Sequence, residues 1–241
     1  MKHLIHTAAS RGNVDFGWLQ SHHTFSFGHY YNPERMHFGV LRVLNDDTVA
    51  GGRGFDTHPH SDMEIISLPL EGELEHRDSM GNRTVIRQGD IQVMSAGTGV
   101  QHSEYNKNQD KPVKFLQIWI FPSKKQVAPR YDQVTLNPAD SHNTLQQILS
   151  PAPEKGCVWI HQQAWFHLSR MDAGVSLNYE MKRKGNGAYI FVLAGSLKIE
   201  EMLLQERDGM GVWDTDRFSL ISVKDSAVLV MEVPMDAGIP V

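Results

Sequence analysis

The sequence predicts an all-β protein built from two barrels or sandwiches, and three observations support this fold class. Apolar residues occur in runs of about four to eight, rich in β-branched and aromatic types and separated by Gly, Asn, Asp and Pro. A Pro-rich stretch over residues 138–153 divides the chain into two parts. When Gly72 is aligned with Gly195, a strand, a glycine and an alternating strand coincide in both parts. We therefore expect one barrel or sandwich in each part.

The predicted strands follow one another along the whole chain. The apolar runs that predict them are, in order, His37–Leu44, Glu64–Leu70, Ile91–Met94, Phe115–Phe121, Val175–Met181, Ala188–Leu193 and Ala227–Val233. Turn-forming residues 78–82 lie between two short alternating segments, 72–76 and 84–86, as a β-hairpin requires.

A domain boundary is predicted in the Pro-rich stretch. Residues 1–135 are assigned to an N-terminal barrel and residues 136–241 to a C-terminal barrel. One short helix is expected just after the boundary, over Ser141–Leu149, because its apolar residues share one helical face and a proline follows.

Composition and charge exclude several classes of protein. The 23 basic and 28 acidic residues give a net charge of -5, the wrong sign for a protein that holds nucleic acid or an anionic membrane. No apolar run approaches the roughly 20 residues of a membrane-spanning helix. The single cysteine, Cys157, has no partner for an intrachain disulfide, and the first residues lack the apolar segment of a secretory signal. We therefore expect a cytoplasmic protein without direct nucleic-acid or membrane partners.

Histidine is concentrated in the first part of the chain, where ten of the 13 histidines lie at or before His102. Two short motifs stand out, His58-x-His60 and His102-x-Glu104. On a strand, residues two apart project to the same face, about 7 Å from each other. If the two strands meet inside a barrel, three imidazole nitrogens and one carboxylate oxygen surround a divalent metal and leave one or two positions open.

Each motif also has a simpler interpretation. A single exposed His-x-His pair is commonly a solvated strand face, but a second pair favours a site. Glycine-containing loops, 51–54 and 97–99, precede the two pairs and allow the backbone to turn at a barrel end. Glu64 follows His60 by four residues and remains open as a ligand, a hydrogen-bond acceptor behind a ligand, or an acid at the edge of the core.

Two further groups of residues near the motifs are expected to be structural. Four earlier histidines are assigned to the surface or to the core: His22, His23, His29 and His37. Four aromatic residues suit the stacking of a planar aromatic substrate, although core packing is favoured for each: Trp18, Phe25, Phe27 and Phe55.

The motifs resemble those of a known family. The string His58-x-His60-x3-Glu64, which leads to Gly72, and the later string Gly99-x2-His102-x3-Asn106 resemble the two cupin motifs. The longer strings resemble the pirin family in particular. They are Trp18-Leu19 with His23–Phe27, Phe55–Glu64 and Ala96–Glu104, and the resemblance extends over about residues 16–131.

The resemblance implies a fold and a ligand set. It implies two cupin barrels, double-stranded β-helices of the jelly-roll type, in one chain with few short helices. It also implies one metal in the N-terminal barrel, held by His58, His60, His102 and Glu104. In ordinary cupins the glutamate of the first motif is the fourth ligand, which keeps Glu64 as the alternative. Fe(II) is the expected metal, but such a site also accommodates Mn, Co, Ni, Cu or Zn.

The second part of the chain lacks the metal pattern. In the same alignment, His58 and His60 coincide with Met181 and Arg183, and no histidine follows His167. The C-terminal barrel is therefore expected to have no three-histidine site. It is interpreted as structural, as a wall of the pocket or as a partner surface.

The resemblance also implies an activity. Pirin-like proteins are associated with quercetin 2,3-dioxygenase activity, in which O2 opens the central ring of a flavonol and carbon monoxide is released. The expected partners are a small planar phenol and O2, with Glu104 or Glu64 as general base. The alternative is a regulatory protein without enzymatic activity, in which the oxidation state of iron changes the surface offered to a protein partner. Consumption of a flavonol with O2 distinguishes the two.

Overall fold

The fold is all-β, as predicted, and consists of two cupin barrels in one chain. A computed structural model describes residues 1–236, which form twenty strands and two short 3₁₀ helices, Ala8–Ser10 and Pro138–Ser141. Neither helix is long enough to cross a membrane, and no other helix occurs in the described part of the chain.

The first barrel is made of two sheets, which contain β2 to β12. Strands one to twelve are β1 (Lys2–His6), β2 (Gly12–Asp15), β3 (Leu19–His23), β4 (Leu41–Val49), β5 (Gly54–His60), β6 (Glu64–Glu71), β7 (Glu73–Asp78), β8 (Arg83–Arg87), β9 (Asp90–Ser95), β10 (Val100–Asn106), β11 (Val113–Ile120) and β12 (Arg130–Thr135). A seven-stranded sheet has the order β12-β9-β6-β11-β4-β3-β2, and a four-stranded sheet has the order β5-β10-β7-β8. Side chains of the two sheets meet in the barrel interior, where β6 contacts β10 through a buried hydrogen bond.

The second barrel is built around one large sheet. Its strands are β13 (Gln146–Ser150), β14 (Val158–Trp159), β15 (Trp165–Met171), β16 (Ser176–Glu180), β17 (Asn186–Ile199), β18 (Met202–Gln205), β19 (Gly209–Trp213) and β20 (Arg217–Pro234). The main order is β1-β19-β17-β20-β15-β13-β14, and the long strands β17 and β20 also pair with β18 and β16. The strand β1 therefore lies in the sheet of the second barrel, although it belongs to the N-terminal part of the sequence. The domain division at residue 135 remains a prediction.

The prediction of a helix over Ser141–Leu149 is wrong. The chain leaves the 3₁₀ turn at Ser141 and continues as β13, which pairs with β15 and buries Ile148 and Leu149 in the core. A single short helix is marginal by itself, so strand pairing and burial decide the conformation of this segment.

The glycine alignment of the two parts is consistent with the structure. Gly72 (φ +80°) and Gly195 (φ +86°) both lie in the left-handed region at the bend of a long strand segment. A side chain at Gly195 would collide with backbone atoms of Asp225 and Ser226, because its Cβ would lie 2.4 Å from the Asp225 carbonyl oxygen. Each bend needs glycine, which explains why the two strand-glycine-strand segments match in sequence.

The two barrels share one hydrophobic core. On β6 and β11, Ile66 and Ile118 project away from the interior of the first barrel and enter this shared core. The second barrel contributes Phe191 of β17 and Leu229 of β20. Side chains on the opposite faces of the same strands fill the separate barrel interiors, so each large sheet is covered on both faces.

Replacement of Phe191 by alanine should destabilise the whole protein, because the ring is fully buried between the barrels. We expect Phe191→Ala to lower the free energy of unfolding by about 3–5 kcal/mol. Urea unfolding followed by circular dichroism measures the change. Val223→Ala, at an exposed position of β20, is the control and should stay within about 0.5 kcal/mol of the parent protein. A similarly small change for Phe191→Ala would contradict a shared core.

Candidate metal centre

The two predicted motifs lie on neighbouring antiparallel strands. His58 of β5 lies directly opposite His102 of β10, so the first histidine of each motif is brought together. Pro59, between His58 and His60, has no N–H to donate, and β5 tolerates it because this strand is the edge of the four-stranded sheet. The register shifts between His102 and Glu104, an irregularity that redirects side chains at this end of the strand.

The three motif histidines form a compact triangle. Ring centroids lie 4.8 Å apart for His58 and His60, 4.5 Å for His58 and His102, and 5.0 Å for His60 and His102. One nitrogen from each ring lies within 4.8 Å of the others. This spacing brings three imidazole nitrogens to a position where they could share one ion.

Glu104 is the acidic member of the second motif and is held inside the barrel. Its side chain is buried, and its Oε1 accepts a hydrogen bond of 2.9 Å from Ser67 Oγ of β6. Its Oε2 has no hydrogen-bond partner among the described residues. A ligand atom of Glu104 lies within 4.8 Å of one of His102, which is thus common to two groups of ligand atoms: the half-buried His58 and His60 belong to one, and the buried Glu104 belongs to the other.

Several nitrogen and oxygen atoms of these residues have lone pairs free to bind a metal. His58 Nδ1 contacts the Asp56 carbonyl oxygen at 2.7 Å; donation by Nδ1–H leaves Nε2 as a free lone pair. His60 Nε2, both nitrogens of His102 and Glu104 Oε2 are buried and have no hydrogen-bond partner within residues 1–236. Buried polar atoms normally have hydrogen-bond partners, and each buried atom without one destabilises the folded protein by about 1–3 kcal/mol. A cation bound here would satisfy these atoms.

Burial also sets the charge of the imidazoles. Burial, with a smaller effect of the neighbouring histidines, lowers the pKa of His60 to about 4 and that of His102 to about 3. These two rings are therefore neutral at physiological pH and keep the lone pairs that a metal requires.

His76 is a site residue that sequence reasoning missed. It lies on β7 and is completely buried, and together with His102 and Glu104 it forms a second group of ligand atoms within 4.8 Å of one another. His76 Nε2 contacts Asp78 Oδ2 at 3.0 Å, and Nδ1 has no hydrogen-bond partner among the residues described. The only signal in the sequence is the inward alternation of Leu74, His76 and Asp78 after Gly72, which any half-buried strand shows.

Glu64 does not join the cluster. It begins β6, beyond the turn that follows β5, and its Oε2 accepts a hydrogen bond of 2.6 Å from Ser95 Oγ. It lies on the same face of the strand as Ile66, which belongs to the core between the barrels. Burial raises its pKa to about 7. Since Ser67 occupies the opposite face, Glu64 points away from the side of β6 that contacts Glu104.

A cavity of about 290 Å³ adjoins the histidines inside the first barrel. Its walls include Phe27, Phe55 and Trp119, and Trp119 lies 4.9 Å from His60 between ring centroids. Of the four aromatic residues considered in the sequence, Phe27 and Phe55 line the cavity, whereas Trp18 packs edge-on against Phe55 and Phe25 packs against Tyr189. Of the four histidines expected to be structural, His23 and His29 line it as well.

The second barrel holds a hydrogen-bonded carboxylate. Glu232 is fully buried and accepts hydrogen bonds from Tyr179 Oη, from the backbone N–H groups of Lys182 and Arg183, and from Asn186 Nδ2. The loop aligned with the His58-x-His60 motif is therefore bound to this carboxylate through its backbone.

The fold and the buried cluster define a bicupin whose N-terminal barrel carries residues typical of a metal site. The profile of the pirin family matches residues 5–120, and that of the quercetinase C-terminal cupin domain matches residues 147–233. A quercetin 2,3-dioxygenase of Escherichia coli strain K12 is 39% identical over 234 residues, which is 95% of this chain and 98% of the relative. The chain belongs to the pirin family.

Other relatives support the same assignment. A pirin-like protein of Caulobacter vibrioides is 34% identical over 222 residues, 92% of this chain and 95% of the relative. The crystal structure of the bacterial pirin YhhW from Escherichia coli, in complex with nickel(II), superposes with a TM-score of 0.92 at 37% identity, covering 97% of this chain and 99% of that one. A quercetin 2,3-dioxygenase from Acinetobacter baumannii, 20% identical with a TM-score of 0.75, shares the fold.

Removal of the Ser67 hydroxyl should destabilise the protein even without metal. Ser67→Ala leaves the buried Glu104 carboxylate without its hydrogen-bond donor, which should lower the free energy of unfolding by about 1–3 kcal/mol. Urea unfolding of metal-free protein measures this loss. Ser103→Ala is the matched control, since Ser103 alternates to the other face of β10. Equal stabilities of the two variants would show that the hydrogen bond to Glu104 contributes nothing.

Proposed function

We propose that this protein is a metal-dependent dioxygenase that opens the central ring of a flavonol with O2 and releases carbon monoxide. The observation that carries the proposal is the position of the histidine cluster, since His58 and His60 are part of the wall of an aromatic-lined cavity. The relatives named quercetin 2,3-dioxygenase support the substrate class.

The metal would be held by His58, His60, His102 and Glu104. Three neutral imidazoles and one carboxylate suit a divalent ion, and the unpartnered buried atoms fit such a role. We propose Fe(II) as the natural metal, while Mn, Co, Ni, Cu and Zn suit the same donors. When bound, the ion supplies Lewis acidity toward a substrate oxygen and redox chemistry toward O2.

The cavity suits a small planar phenol. At about 290 Å³ it lies near the lower end of the roughly 300–1,000 Å³ of small-molecule pockets. The rings of Phe27, Phe55 and Trp119 offer apolar faces and edges to an aromatic substrate. The apolar walls also limit access of water, which protects a reactive intermediate from side reactions.

Glu104 is the proposed acceptor of the proton of the flavonol hydroxyl. Its Oε1 is fixed by Ser67, and its Oε2 is the oxygen without a hydrogen bond. Glu64 is directed to the core between the barrels and is hydrogen-bonded by Ser95. The proposal therefore assigns the general base to Glu104 Oε2 and gives Glu64 a structural role.

The proposed activity is tested by consumption of quercetin. Protein stripped of metal and reloaded with Fe(II) should remove the visible absorbance of quercetin, take up an equal amount of O2 and release carbon monoxide. Protein that has not been reloaded is the control. Stoichiometric metal without O2-dependent loss of quercetin would contradict the proposed function and would favour a regulatory role with a protein partner.

The proposed ligand set is tested by metal affinity. His102 is common to both groups of ligand atoms, so His102→Ala should weaken metal binding by more than the roughly 10–100-fold that loss of a residue behind a ligand causes. Titration with a competing chelator measures the affinity. His142→Ala is the control, because His142 is exposed and pairs with Asp172. Equal affinity of the two variants would exclude this ligand set.

A further inference from the structure

Four polar side chains form a patch in the largely apolar wall of the cavity. Ser21 and His23 come from β3, and Asn45 and Asp47 come from β4. The register pairs Ser21 with Asp47 and His23 with Asn45 directly across the two strands. Since alternate residues of a strand share a face, all four project into the first barrel, and all four line the cavity.

The hydrogen bonds within the patch are incomplete. All four side chains are buried, with at most 4% of each residue exposed. Asn45 Oδ1 and His23 Nδ1 have no hydrogen-bond partner in the part of the chain that the structure describes. Asp47 accepts a hydrogen bond from Ser21 Oγ, the one bond that the described residues give to its carboxylate. Buried polar atoms without partners are rare in folded proteins and indicate a missing ligand or water.

The surroundings of Asp47 differ from those of the neighbouring Asp46. Asp46 alternates to the other face of β4, where it pairs with Arg11 and Arg207. Asp47 has no such cation among the described residues, and burial raises its pKa to about 7. A core position without function would favour an apolar residue here, because an unpaired buried carboxyl group is costly.

The patch offers several hydrogen-bond acceptors to the cavity. Asp47 and Asn45 offer carboxylate and amide oxygens. Burial, together with the nearby His22, lowers the pKa of His23 to about 4, so the ring is neutral and has one acceptor nitrogen. Acceptors in an apolar cavity select ligands that carry hydroxyl donors and reject those that leave the acceptors unpaired.

We infer that Asp47, Asn45 and His23 form a hydroxyl-binding subsite, which selects flavonols that carry hydroxyl groups in addition to the one facing the metal ligands. The inference rests on the proposed function, since it places a flavonol in this cavity. Asp47 is the main determinant, because a hydrogen bond to a charged group is stronger than one between neutral groups.

The test compares two flavonols that differ in hydroxyl groups. Quercetin carries several, and 3-hydroxyflavone carries only the 3-hydroxyl. Binding to Fe(II)-loaded protein is measured without O2 at pH 8, so that no turnover occurs and Asp47 is ionised. Quenching of tryptophan fluorescence reports binding, since Trp119 lines the cavity. Asp47→Asn keeps the shape of the side chain and should weaken quercetin binding by roughly 10–100-fold, while 3-hydroxyflavone binding should change less than about twofold.

Two further variants complete the test. Asp46→Asn is the matched control on the other face of β4 and should leave both affinities unchanged. Asn45→Ala removes a neutral acceptor and should weaken quercetin binding by roughly 2–10-fold; it takes the place of Asp47→Asn if that variant does not fold.

The outcomes separate this inference from the proposed function. Binding with the expected selectivity but without turnover in O2 would support the subsite and contradict the dioxygenase. Turnover without selectivity, or an equal loss of both ligands in Asp47→Asn, would overturn the subsite and leave the dioxygenase standing. Failure of the parent protein to bind either flavonol would overturn the subsite as well.

Discussion

The two-residue alternation of side chains on β4, β6 and β11 is the constraint on which the structure depends. One face of these strands holds the barrel interior with Ser67 and Asp47, and the other face holds the core between the barrels with Ile66 and Ile118. A shift of one residue in the register would exchange the two faces. The packing of the barrels against each other therefore also fixes the side chains that surround the cavity.

Much of the fold and of the candidate site could be predicted from the sequence, because the period of a strand is short. The two-residue period alone predicts that the members of each pair, His58-x-His60 and His102-x-Glu104, share a face of their strand. The structure places the two pairs on adjacent strands. The apolar run His37–Leu44 predicts a strand that ends at Leu44, before the polar residues 45–47. These polar residues continue the strand to Val49, since the inward ones line a cavity instead of a hydrophobic core. Local rules fail where a polar residue serves a site.

Other features depended on tertiary contacts that a sequence does not show. His76 belongs to no motif and gains its position only because β7 pairs with β10. Glu64 shares a motif with His60, but after the turn the chain enters β6 in the other sheet, where Glu64 lies on the same face as Ile66 of the core between the barrels. The apolar residues of 145–149 fit either a helix or a strand, and pairing with β15 decided between them. The sequence also does not show that Glu232 of the second barrel accepts hydrogen bonds from the backbone of the loop aligned with the His58-x-His60 motif.

The position of β1 has a consequence for how the chain folds during its synthesis. Residues 2–6 are synthesised long before residues 209–213, with which they pair. The strand β1 must therefore wait until most of the second barrel has been made, and the apolar outer face of the first barrel remains uncovered for the same time. Domains made on the ribosome usually fold one after another, and exposed apolar surface favours aggregation. Completion of this fold is thus a late event that joins two segments far apart in the sequence, and a ribosome that stalls within the second barrel releases a chain with an unpaired strand and an open core.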